Sequence, residues 1–197
     1  MSEAGASHIA TFVFWGVIGA GVIYAIVIYN NLVSLKHGVS KAWSNIDVLL
    51  KQRHDELPKL VETCKQYKDF EQETLENVMQ ARADAQSARQ EGDVKGVGKA
   101  ESAMRMGLGN LFAVAEAYPE LKANQSFQQL QARITGLENS IADRREFYND
   151  SVNANNVRIE QFPDVIIARL LGFKEADLLE FSESEKLDVN IRSLFAS

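Results

Sequence analysis

Residues 53–56 read Arg-His-Asp-Glu, a cation, an imidazole and two carboxylates in a row. Those are the side chains of general acid–base chemistry, provided they converge on one reacting group. On a helix they do not, because consecutive residues are rotated by about 100°. His54 has Leu50, Lys51, Leu57 and Pro58 as its three- and four-residue neighbours, so no carboxylate there orients its ring. Asp55 faces Lys51 and Lys59, surface pairings worth about 0.2–0.5 kcal/mol each. Arg53 is different. It falls on an apolar stripe with Leu49, Leu50 and Leu57, where a guanidinium must meet a carboxylate or reach the edge. Asp47 and Glu101 are its candidate partners. Pro58 lacks an N–H and presses on the carbonyl of His54, which predicts a kink. The stretch therefore reads as a solvated turn of a bent helix, with Arg53, Asp47 and Pro58 in structural roles.

Other catalytic patterns are absent from the sequence. The histidines are His8, His37 and His54, and no H-E-x-x-H, Glu-x-x-His or G-x-S-x-G pattern occurs. Cys64 is the single cysteine; it permits no disulfide within the chain and no cysteine metal knuckle, and its place on an apolar stripe predicts a buried, inert thiol. No catalytic residue, metal ligand set or cofactor is expected. Asn149, Asn153, Asn155 and Asn156 crowd the end of one helix; such amides could line a polar seam, with Asn149, Asn153 and Asn156 as its candidates, cap neighbouring helix ends, or hold a small ligand. A net charge of −6 argues against nucleic acid.

The elements that must carry these residues are helical. Apolar positions recur at three-four spacing from Leu32 through Leu49, Leu57, Cys64 and Tyr67 to Ala85, predicting one helix to about Ala88. Gly92 then stops it and Asp93 caps the next. A second helix runs from Val94 to Tyr118; its Gly96, Gly98, Gly107 and Gly109 are read as close packing, since no phosphate-loop pattern follows a strand. Pro119 breaks it. A third begins near Ser126 and continues toward Val157, and Pro163 starts a short apolar helix closed by Gly172. The predicted fold is all-α: an N-terminal transmembrane helix continuing into an antiparallel up-and-down bundle of three long helices plus a short fourth. The bundle covers 29–173, and 174–197 is expected to be a loosely attached acidic tail. Its Leu187, Val189, Ile191 and Phe195 could lie in a groove of this or a neighbouring chain.

Ile9 to Ile28 carries no charge and is about 20 residues long, enough to cross roughly 30 Å of hydrocarbon as a helix. Residues 1–8 hold no Lys or Arg, and no A-x-A site follows, so the segment reads as a retained span and not a signal peptide. Lys36, Lys41, Lys51 and Arg53 follow it, which places the C-terminal domain in the cytoplasm and the short N-tail outside. Gly16 with Ala20, and Gly21 with Ala25, give small-xxx-small spacing, a packing face for membrane helices.

The segment "YNNLVSLKHGVSKAWSNIDVLLKQRHDELPKLVETCKQY", with "ETLENVMQAR" and "FYNDSVNANNVRIEQFPDVIIARLLGF", resembles the LemA family of bacterial membrane proteins over Tyr29 to Phe173. The resemblance implies a short exposed N-terminus, one transmembrane helix and a cytoplasmic helical bundle. It implies no enzyme activity and points to membrane organisation. Lys59 departs from the family's usual Pro-Asn-Leu-Val, so an asparagine role at that site does not carry over. The expected function is a non-enzymatic scaffold at the bacterial inner membrane that assembles with copies of itself. The alternative is an accessory subunit of a membrane protease or envelope-stress component. The expected partners are the lipid bilayer, further copies of the chain and a membrane protein.

Overall fold

The structure is a computed structural model that describes residues 3–67 and 70–180, with the backbone alone for 3–7, 9 and 10. Among the described residues it is all-α, with no strand. Its helices are α1 (Glu3–Lys65), α2 (Gln72–Glu91), α3 (Val94–Ala115), α4 (Pro119–Ala123), α5 (Gln125–Glu160) and α6 (Asp164–Leu170). Leu187, Val189, Ile191 and Phe195 lie outside the described residues. The described residues form two compact units, one drawn from 3–41 and 150–176, the other from 42–149 and 177–180.

The single helix expected from Leu32 to Ala88 is two. α1 stops at Lys65 and α2 begins at Gln72, so the described chain has more and shorter helices than three long ones and a fourth. The reason lies in Tyr67 and Phe70. Tyr67 N–H donates to Cys64 O and Phe70 N–H to Tyr67 O, each at 3.0 Å, and Phe70 is buried with its ring 5.3 Å from that of Tyr118. The apolar stripe keeps its phase through a tight turn, and periodicity alone does not separate that from unbroken helix. At the other end α1 starts at Glu3, ahead of the apolar run.

In the second unit Leu57, Leu60, Val78, Met104, Leu111 and Ile134 centre one hydrophobic core. Gly92 ends α2 in the left-handed region at φ 71°. Asp93 N–H reaches Ala88 O and Gly92 N–H reaches Arg89 O, the paired bonds of a Schellman closure. Asp93 then caps α3, its Oδ1 accepting from Gly96 N–H at 2.9 Å. Opposite Gly96 lies Ala88, and opposite Gly107 lies Val78. One index rises as the other falls, so α2 and α3 form an antiparallel hairpin. Pro119 opens α4, and Asn124 Oδ1 accepts from Ser126 and Phe127 N–H at 2.9 and 3.2 Å to start α5.

In the first unit Ile28 and Leu32 of α1 pack with Ile159 of α5 and Ala168 of α6. The rings of Tyr29 and Phe173 meet edge to face, 6.2 Å apart. Gly172 at φ 70° closes α6 with a second Schellman pair, Phe173 N–H to Ala168 O and Gly172 N–H to Arg169 O.

Candidate functional site

From Thr11 onward α1 is long and apolar enough to cross a membrane. Its large side chains are uncovered: Phe12 is 78% exposed, Trp15 64% and Ile23 65%. Water does not tolerate such a continuous apolar surface, which makes the segment compatible with a membrane anchor. Gly16 and Gly21 have nothing within 4 Å of where a Cβ would stand. Ala20 is exposed and Ala25 partly so. The four small residues are thus open within the chain.

The Arg-His-Asp-Glu stretch is not wholly solvated. Arg53 is 2% and Glu56 4% exposed, because residues three apart share a helix face; Asp55 is exposed and His54 half-buried. The Arg53 guanidinium is shared between Glu101 and Glu138, its Nη2 on Glu101 Oε2 and its Nη1 on Glu138 Oε1. Arg53 Nε has no acceptor among the described residues. Burial pulls the arginine pKa down and Glu138 pushes it back up. Glu101 was within reach of sequence reasoning; Glu138, far along the chain, was not. Asp47 is not a partner of Arg53: its Oδ1 accepts from Arg89 Nε at 2.9 Å. Glu56 Oε1 pairs with Arg133 at 3.1 Å and its Oε2 with Lys59, also at 3.1 Å. Lys59 therefore serves Glu56.

Pro58 does not end α1, which runs on to Lys65. Proline denies the His54 carbonyl its helical donor, and Arg82 Nε donates to that carbonyl at 3.0 Å instead. The His54 imidazole has its pKa lowered, first by burial and then by the Arg82 charge. Cys64 is buried and its thiol is pushed up to about 12, far from the thiolate that nucleophilic chemistry needs. No group of three or more His, Cys, Asp or Glu able to hold a metal occurs among the described residues.

The asparagines bind the chain's own extended segment. In the second unit Asn149 Oδ1 accepts from Leu179 N–H at 2.9 Å and its Nδ2 donates to Leu179 O at 3.2 Å. Tyr148 donates its hydroxyl to Asp177 O at 2.8 Å, with its ring 5.4 Å from Trp43. Burial, then the Asp177 carboxylate, push that phenol up to about 12. Lys95 pairs with Asp177 at 2.9 Å, Leu179 is fully buried, and a Cβ on Gly98 would sit 2.1 Å from Glu180 O. In the first unit Asn156 repeats the pattern on Ala176, with both bonds at 2.9 Å. Asn155, 4% exposed, donates to Asn156 Oδ1 at 3.1 Å. Asn153 is exposed. Residues 176–180 are thus held, where a loose tail was expected.

Comparison with known proteins places these features in a family. The profile of the LemA family matches residues 42–192, which begins after the apolar segment. Magnetosome protein MamQ 2 of Paramagnetospirillum magneticum is 23% identical over 175 residues, covering 77% of this chain and 64% of that protein. The chain thus spans less than two thirds of that relative's length. Protein LemA of Metamycoplasma hominis is 26% identical over 187 residues, 93% of this chain and 84% of that one. A long apolar N-terminal helix, an all-α body and a profile match over most of the sequence agree: the chain belongs to the LemA family.

Proposed function

We propose that the protein is a non-enzymatic, membrane-anchored scaffold that assembles with copies of itself at the bacterial cytoplasmic membrane and organises it. The observation that carries this reading is the uncovered apolar surface of α1, with Gly16 and Gly21 open to a neighbouring helix. Lys36 and Lys41 after the span support a cytoplasmic C-terminal domain. The relatives named as magnetosome proteins are in keeping with a role in organising a cellular structure.

Light scattering of the full-length protein in mild detergent tests it, beside a variant with Gly16→Ile and Gly21→Ile. Both positions face open space within the chain, so the substitutions leave the fold alone. A defined oligomer that the variant loses supports assembly through the span. A monomeric wild type sinks self-assembly and leaves the accessory subunit of a membrane protease or envelope-stress component as the reading to pursue.

A further inference from the structure

α6 buries one side, on which Asp164 and Ala168 lie, and exposes apolar side chains on the other. Asp164 and Ala168 are buried at 3% and 2% exposure. Ile166 and Leu170, each two residues on and so about 200° around the helix, are 57% and 77% exposed. Phe162, four residues before Ile166, is 82% exposed. Large apolar side chains exposed together on one side of a helix mark a contact surface. The inner side is accounted for: Ala168 packs with Ile28 and Leu32 of α1, and Asp164 pairs with Arg158 at 3.2 Å.

The inner contact also fixes the depth of α6 along α1. Ile28 closes the apolar segment that begins at Ile9, so α6 sits where the span leaves the hydrocarbon. The same level carries cations. An open groove of about 600 Å³ is lined by Tyr29, Lys36, His37 and Lys174, and Arg169 on α6 is exposed. Apolar side chains beside basic ones at the end of a span match the boundary between acyl chains and headgroups.

We propose that α6 is a second membrane contact: its outer face, Phe162, Ile166 and Leu170, is embedded in the bilayer interface beside the exit of α1. This rests on α1 being a membrane span. The occupant of the face is lipid, because α6 is seated on Ile28 and Leu32, at the end of an apolar helix that already requires lipid.

The test is nitroxide labelling of the full chain in liposomes, one site at a time, at Ile23→Cys in the span and at Ile166→Cys and Leu170→Cys on α6. The native Cys64 is buried and stays unlabelled. Collisions with oxygen, which concentrates in lipid, are compared with those of a water-soluble nickel chelate. The expected result is oxygen exceeding chelate at all three sites, with α6 shallower than Ile23. If Ile23 is in lipid while the α6 labels meet the chelate freely, the face is in water and the inference is wrong. If Ile23 is in lipid and the α6 labels are shielded from both reagents, protein covers the face and lipid is overturned as its occupant. An Ile23 label in water overturns the anchor, and this inference with it.

Discussion

Arg82 donates from Nε to the carbonyl oxygen of His54 at 3.0 Å, and that carbonyl is the one Pro58 leaves without a helical donor. An arginine on α2 therefore repairs a defect made by a proline on α1. An unpaired carbonyl at a half-buried site costs about 1–3 kcal/mol. Arg82→Met should lower stability by about that amount in urea unfolding. Pro58→Ala restores the N–H, so Arg82→Met in that background should cost markedly less. Equal cost in both backgrounds would show that the two residues do not act on one carbonyl.

Arg53 stands between Glu101 and Glu138. Removing one partner of a buried ion pair costs about 3–5 kcal/mol because a charge is left without compensation. Arg53→Met should fall in that range, and adding Glu101→Gln should recover part of the loss. A double-mutant cycle by chemical denaturation reads the coupling; strictly additive losses would contradict a shared buried network.

The glycines of α3 are not equivalent. Gly98→Ala drives a methyl into Glu180 O, 2.1 Å from its ideal position, while Gly109→Ala meets nothing within 4 Å. Gly109→Ala should stabilise by about 0.5–1 kcal/mol through helix propensity. Gly98→Ala should destabilise and speed hydrogen exchange at the Leu179 amide. Thermal melts of opposite sign are the expected result, and two stabilised variants would mean that residues 177–180 yield at no cost.

His54 gives stability a pH dependence of known sign. Its folded pKa is lowered, by burial first, then by Arg82, with Arg89 and Arg53 adding and Asp55 opposing. Above the unfolded value of about 6.5 both states are neutral and the shift contributes nothing. As pH falls below it the unfolded chain takes up a proton that the folded chain resists, so stability declines until the folded pKa is passed. His54→Gln should lose less stability than wild type between pH 7.5 and 5.5. Equal losses in urea titrations would place His54 in an ordinary solvent environment.

Local signals in the sequence located several boundaries. Gly92 with Asp93, Pro119 and Gly172 each act within a turn of their own position, and each sits where such residues end or begin helices. The break after Lys65 was hidden because Tyr67 and Phe70 hold the same apolar phase in a turn as in a helix. Glu138 as a partner of Arg53 depends on how distant segments pack. Glu56 looked like a surface residue because its burial depends on Arg133, far away in sequence. The long apolar helix was readable because its composition and length are properties of the sequence alone.

Asn149 and Asn156 grip Leu179 and Ala176 through peptide groups, which every residue except proline presents alike. The short segment 176–180 can therefore drift in spelling without losing its seat. Selection at these positions should act against proline at 176 and 179, against loss of the leucine at 179, and against any side chain at 98. Natural variation in that segment will then look like the tolerance of a linker, although the segment is a fixed part of the fold.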